Sequence, residues 1–304
     1  MSAVTAKKRA DHYLPAALIG GFGTPETRKG KTGLRFATVA VRDHNRPNIV
    51  TRKRAEKVAK KIGEYWVAHP PAGLSPNFID GYWDEYEPKL PGAVRRLGDA
   101  TWTERDWETI RKHVVAEAVR NPDFERAAAD YRAAKGDPIA HRDEVQYERL
   151  VTLVNTPALL ARSRFAVVRT PEDGHRFVIN DKGYTTVADP YNGQKGVLFP
   201  LSGSVAVLCV PEVGDIPGRA DAWLCADLTL TPGAVEGWNL ASWQQKETLL
   251  IIGHPDDEGR IATFDGRPLV FPALGPYRNR GVEGAFEWAY ADGATSALAA
   301  PGGP

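Results

Sequence analysis

The chain has one methionine and two cysteines among its 304 residues, and the cysteines do not form a Cys-x-x-Cys pair. Cys209 in "VAVLCVP" and Cys225 in "AWLCADL" each lie inside an apolar run. That is the setting of small buried hydrophobes, not of a disulfide framework or a zinc knuckle. No run of about 18 apolar residues occurs, and the opening "MSAVTAKKRADHYLP" carries charge without an apolar stretch behind it. Neither a membrane span nor export is expected, which makes the cytoplasm the expected compartment. An excess of charge is missing too, since 39 Lys and Arg stand against 38 Asp and Glu, for a formal charge of +1. No global field steers the chain to an anionic membrane or to nucleic acid, so net charge does not indicate nucleic acid as a partner, and a local basic patch is left open. Nucleotide signatures are absent as well. The glycines of "LIGGFG" do not follow a strand in the dinucleotide spacing, and there is neither a Walker loop nor a Gly-x-Ser-x-Gly elbow.

What the chain does have is 42% hydrophobic residues, enough for a substantial core, and an Arg-, Ala-, Gly- and Pro-rich composition of the kind high-GC bacterial genomes encode. "ADHYLPAALIGG" predicts a short helix ending at Gly20 or Gly21, and "GLRFATVAVRDH" alternates as a strand does. "TRKRAEKVAKKIGEYW" places Ala55, Val58, Ala59 and Ile62 on one face and predicts an amphipathic helix. Helices are expected on both sides of Pro88 and Pro91. The clearest helix starts at Thr103, whose hydroxyl can cap while Asp106 reaches back. Further helices are expected over about 123–134 and through "EVQYERLVTLVNTPALLARS". From Phe165 the pattern changes to strands: "RFAVVRT", "HRFVIND", "GVLFPLS", "VAVLCVP", "AWLCADL" and "TLLIIGH". Helices followed by strands imply an α+β fold, with a helical N-terminal half (about 10–162) packed on a mainly antiparallel sheet from the C-terminal half (about 163–272). One domain is expected over 1–294, with a mobile tail at 295–304.

"LLIIGHPDDEGR" looks like a metal site, because a His and an Asp at a strand end can take two positions on zinc while a second Asp serves as base. The six residues resemble the His-Pro-Asp-Asp motif of the N-acetylglucosaminyl deacetylase (PIG-L-like) family, and the candidates would be His254, Asp257 and Asp256. That family needs its motif near the start of a doubly wound domain and a further His downstream. Here His254 is the last of seven histidines. The stretch is therefore expected to be a strand ending in an acidic turn.

A second resemblance is spread over residues 10 to 255. "DHYLPAALIGGF", "EPKLPGAVRRL", "WTERDWETIRKHVVAEAVRNPDF", "HRFVINDKG", "GVLFPLS" and "WNLASWQQKETLLIIG" resemble, in order, motifs of the bacterial domain-of-unknown-function family 4238. This chain departs from that pattern with Asp11 for a first His, Glu117 for a frequent Gln, and Lys182-Gly183 for Asn-Pro. The resemblance implies positions and no reaction: His12, Glu87, Glu117, Arg120 and Asp181 stand at its polar sites. Converging in one cleft, they could hold a divalent metal, with Arg120 on a phosphate, as in a metal-assisted hydrolase of a phosphate-containing substrate or nucleic acid. The alternative is a non-catalytic binding or interaction module in which the same residues form a structural network. On the central helix, Trp107, Ile110, Val114 and Ala118 form the core stripe with His113, Glu117 and Arg120 along its edge, and a Glu117–Arg120 pair is expected to hold the helix to its neighbour.

Overall fold

A computed structural model describes residues 10–28, 31–62, 64–121, 123–160, 163–188, 195–211, 223–244, 250–266, 278–280 and 285–287. The expected tail at 295–304, the domain limit at 294 and the Cys225 side chain lie outside the described residues; Cys209 is buried, as expected.

The fold is α+β. Its first part is built from β1 (Ala10–His12), α1 (Ala16–Gly20), the small hairpin β2 (Thr27–Arg28) and β3 (Lys31–Thr32), the longer hairpin β4 (Thr38–Asp43) and β5 (Arg46–Arg54), and β6 (Lys60–Ile62). The helix expected over 51–66 is thus replaced by the end of β5, a 3-10 turn at Ala55–Lys57 and β6. The apolar spacing misled for a physical reason. Ala55, Val58 and Ala59 are buried, but one 3-10 turn puts them inside as well as a helix does, and Ala59 takes a φ of 52°, which a right-handed helix cannot contain. Gly20 is needed where α1 ends, because a Cβ there would run into the backbone of Leu34.

The helices follow as α2 (Asp80–Asp84), α3 (Leu90–Gly98), α4 (Glu104–Arg120), α5 (Phe124–Ala134) and α6 (Arg142–Leu160). The chain breaks between α2 and α3, where the prolines predicted it. At α4 the Thr103 hydroxyl and the Asp106 carboxylate form a reciprocal capping box, and Arg96 of α3 grips the same carboxylate (Nε to Oδ2, 2.9 Å). The rest comprises β7 (Ser163–Arg169), β8 (Ile179–Asn180), β9 (Thr185–Ala188), β10 (Lys195–Pro200), β11 (Val205–Pro211), β12 (Trp223–Thr229), α7 (Pro232–Gln244), β13 (Leu250–Gly253), α8 (Glu258–Ala262), β14 (Arg278–Arg280) and β15 (Ala285–Glu287).

Five strands pair in the order β12-β7-β11-β10-β9; all neighbours are antiparallel except β12, which runs parallel to β7. A second sheet, β5-β4-β13-β8, is wholly antiparallel and sets residues 38–54 beside residues 250–253. Separation into a helical first half and a sheet-forming second half therefore holds only loosely, since half of this second sheet comes from the first half of the chain. The main core cluster runs from Leu14 to Ile252 and includes the edge-on contact of Trp107 in α4 with Phe165 in β7, at 5.4 Å between ring centroids. Among the described residues no helix is long and apolar enough to cross a membrane.

Candidate functional site

Arg120 ends α4 inside the protein, 2% exposed, and a guanidinium there requires partners in the fork geometry its donors impose. It finds them on two other segments. Nη2 donates to the His12 carbonyl at 2.6 Å; Nη1 donates to the Tyr86 hydroxyl at 3.1 Å and is ion-paired with Glu87; and the plane lies over the Trp83 ring, 4.8 Å from its centroid. Although burial works against the charge, Tyr86, Tyr65, Glu87 and Glu117 hold this guanidinium well above its ordinary pKa. Arg120 thus ties β1, just before α1, to the junction of α2 and α3. His12 is partly buried, with Nε2–H donating to the Glu56 carbonyl at 3.3 Å, and burial lowers its pKa. Glu87 is half-buried too, with 31% of its side chain exposed.

Glu117, one helical turn back, is fully enclosed and does not pair with Arg120 as expected. Its nearest polar neighbour is His113 on the same helix face, Nδ1 to Oε1 3.3 Å, but the geometry is off-line and no nitrogen or oxygen of either side chain makes a hydrogen bond. Burial raises the Glu117 carboxyl to about 8, with Arg120 opposing and Glu87 adding to the shift. Burial, with Arg120 adding, lowers His113 to about 3. A neutral acid beside a neutral imidazole is the stable arrangement at neutral pH. The carboxyl packs on Gly183, at φ 82°, where a Cβ would overlap it, and on Leu14. Asp181 begins that same turn, is fully buried, and its charge adds to burial in raising the Tyr13 phenol. His12, Glu87 and Glu117 therefore gather around Arg120, with Asp181 in the turn that packs on Glu117, and protein seals most of the set: only Glu87 and His12 reach solvent.

Among the described residues no group of three or more His, Cys, Asp and Glu is placed to hold a metal ion. The expected divalent site does not form around this set, because its centre is a guanidinium that occupies Glu87 and repels a second cation. In "HPDDEGR", His254 caps a 3-10 turn, Nδ1 accepting the Asp256 N–H at 3.2 Å, while Asp257 faces Arg260 (3.2 Å) and Arg176 (3.7 Å). The stretch is a cap and an ion-pair cluster after β13, close to the acidic turn expected.

A cleft of about 290 Å³ opens elsewhere, between α1, α3 and the turn after β10. Leu18, Val94, Leu201 and Val205 make its apolar wall, and Arg95 and Ser204 reach its edge. Arg95 is exposed and has no side-chain partner among the described residues. Sequence reasoning missed this cleft, whose walls are 180 residues apart in the chain. It also missed Tyr86 and Trp83 as partners of Arg120.

No family model, no curated protein and no solved structure matches the chain. The reading of the site thus rests on its own geometry.

Proposed function

We propose that the chain is a non-catalytic binding module, in which the polar set around Arg120 is a clamp and the cleft between α1 and α3 takes a compact ligand with an apolar body and an acidic group. The observation that carries this reading is that the two terminal nitrogens of Arg120 bind His12 and Glu87, the residues that lead into the two helices walling the cleft. A phosphate approaching Arg120 would have to displace Glu87 and enter a closed region. The cleft needs no such rearrangement: its size is at the lower end of small-molecule sites, and Arg95 lines it with no side-chain partner among the described residues, one turn before Asp99 on the same wall.

The test is a thermal-shift screen of carboxylic acids with short apolar bodies. Val94→Trp, which fills the cleft, should abolish any shift, and Arg95→Glu should weaken it about tenfold or more, in line with the loss of a charge-assisted hydrogen bond. Metal-dependent hydrolysis of a phosphate ester that His12→Ala or Glu87→Gln abolishes would instead favour the hydrolase reading.

A further inference from the structure

The near-zero total charge hides a strong segregation. Residues 24–62 contain twelve lysines and arginines and three acids, a net charge of +9, so the rest of a chain whose total is +1 carries −8. The fold gathers much of this charge along one margin. Among the described residues β5 is the outermost strand of its sheet and pairs along one edge only, and its nine residues at about 3.4 Å each span roughly 30 Å. Arg46, Arg52 and Lys53 stand exposed along it, and Lys57 and Lys60 continue the exposed row through the 3-10 turn into β6.

Local acids neutralise only part of the row. Glu258 takes Arg52 at 2.6 Å, Glu64 takes Lys61 at 2.7 Å, and Glu56 is shared between Arg54 at 3.4 Å and Arg35 at 3.9 Å. Arg42 turns inward to Asp265. Arg46, Lys53, Lys57 and Lys60 have no side-chain partner among the described residues. Charges on an edge strand ordinarily serve to prevent pairing with another sheet. That role accounts for Arg46 or Lys53, and for Lys60 on the two-stranded pair β1-β6, but not for Lys57, which lies in the 3-10 turn between the two strands.

We propose that this margin is a nucleic-acid-binding surface, with Lys53, Lys57, Lys60 and Arg46 as phosphate contacts. A row of separated, uncommitted cations fits a polymer that repeats one negative charge along its length. Asn48, exposed between them on β5, offers hydrogen bonds suited to phosphate and sugar, and Arg35 stacks over the Phe36 ring at 4.9 Å. An anionic bilayer is the poorer fit, since Ile49, 51% exposed, is the one large apolar side chain β5 offers for insertion. The proposal does not depend on the reading of the cleft, and its assay uses neither the cleft variants nor an acid ligand.

The test is fluorescence anisotropy with labelled single-stranded RNA, single-stranded DNA and duplex DNA of about 20 nucleotides, at about 50 and 200 mM salt. The triple variant Lys53→Glu, Lys57→Glu, Lys60→Glu is compared with an equally charge-changing control, Lys89→Glu, Arg105→Glu, Lys135→Glu, at exposed positions on other elements. Binding by the wild type is expected, with a tenfold or greater loss in the first triple, a loss under threefold in the control, and a salt dependence shallower by about 2 for three lost phosphate contacts on a single strand. If the first triple unfolds at a lower temperature than the wild type, the three Lys→Gln changes replace it with the same expected ranking. The proposal is overturned by absence of binding to all three probes at the lower salt, by equal loss in both triples, or by binding to phosphatidylserine vesicles without binding to nucleic acid.

Discussion

Glu117 and His113 make a pH signature that separates them from the rest of the molecule. The folded state raises Glu117 from 4.5 to about 8, so it keeps a proton the unfolded chain has released across that window, and this group's contribution to stability falls as pH rises from 4.5 to 8. The folded state lowers His113 from 6.5 to about 3, so only the unfolded chain takes up that proton, and stability falls as pH drops from 6.5 to 3. The two slopes oppose and cancel between 4.5 and 6.5, leaving the Glu117 slope alone from 6.5 to 8. At about 1.4 kcal/mol per pH unit, the wild type should lose about 2 kcal/mol relative to Glu117→Gln over that last interval. Urea unfolding of both proteins at a series of pH values checks this, and parallel curves would refute it. Gly183→Ala should cost about 2 kcal/mol or more, because alanine is strained at that φ and its Cβ overlaps the same carboxyl; Gly174, at φ 92° with open space around it, should tolerate alanine with a smaller loss, and comparing thermal midpoints of the two variants tests the overlap. His12, Glu87, Glu117, Arg120 and Asp181 could be picked out in the sequence as polar positions, but not the gathering of the first three around Arg120. Their sealing was not legible either, because whether an edge residue of a helical stripe faces solvent depends on what packs there: here it is the turn at Gly183, some 66 residues further along the chain.

Among the elements, α4 was the most legible, because its start is written locally. Thr103 and Asp106 cap each other across one turn, and no tertiary contact is needed to predict that. Thr103→Ala should lower stability by about 1 kcal/mol. Asp106→Ala should cost more, since it also releases Arg96 from α3, and a chemical-denaturation series of the two single variants and the double tests the order. Additive effects of the two changes would refute a shared box. The segment 51–62 was misread for the opposite reason. Its helical spacing is real, but its backbone is claimed by β4, whose residues Thr38 to Val41 pair with Arg54 to Thr51. Nothing local in "TRKRAEKVAKK" reports that claim, and the misreading hid the exposed basic row that an edge strand presents.

For the whole molecule, the decisive feature is the sheet β5-β4-β13-β8, which joins strands about 200 residues apart in the chain. Long-range pairing leaves no periodic trace, so the sequence supported the class of the fold but not this junction. The junction carries a consequence for folding. β4 is buried on both faces, Val39 and Val41 in the main cluster and Ala40 in the second, and β13 covers one of its two edges. Remove residues 163–304 and β4 loses that neighbour, while Trp107 loses Phe165 and α4 loses the turn at Gly183 that closes over Glu117. The Glu117 carboxyl and the Trp107 face of α4 would then be opened to water while β4 is left with a bare edge, a large loss for a domain stable by about 5–15 kcal/mol. The fragment 1–162 should therefore show no cooperative thermal transition by circular dichroism, and mixing it with the fragment 163–304 should restore one. A cooperative transition in 1–162 alone would mean that the helical part and the strands after it are independent units, and that the shared sheet contributes little to holding them.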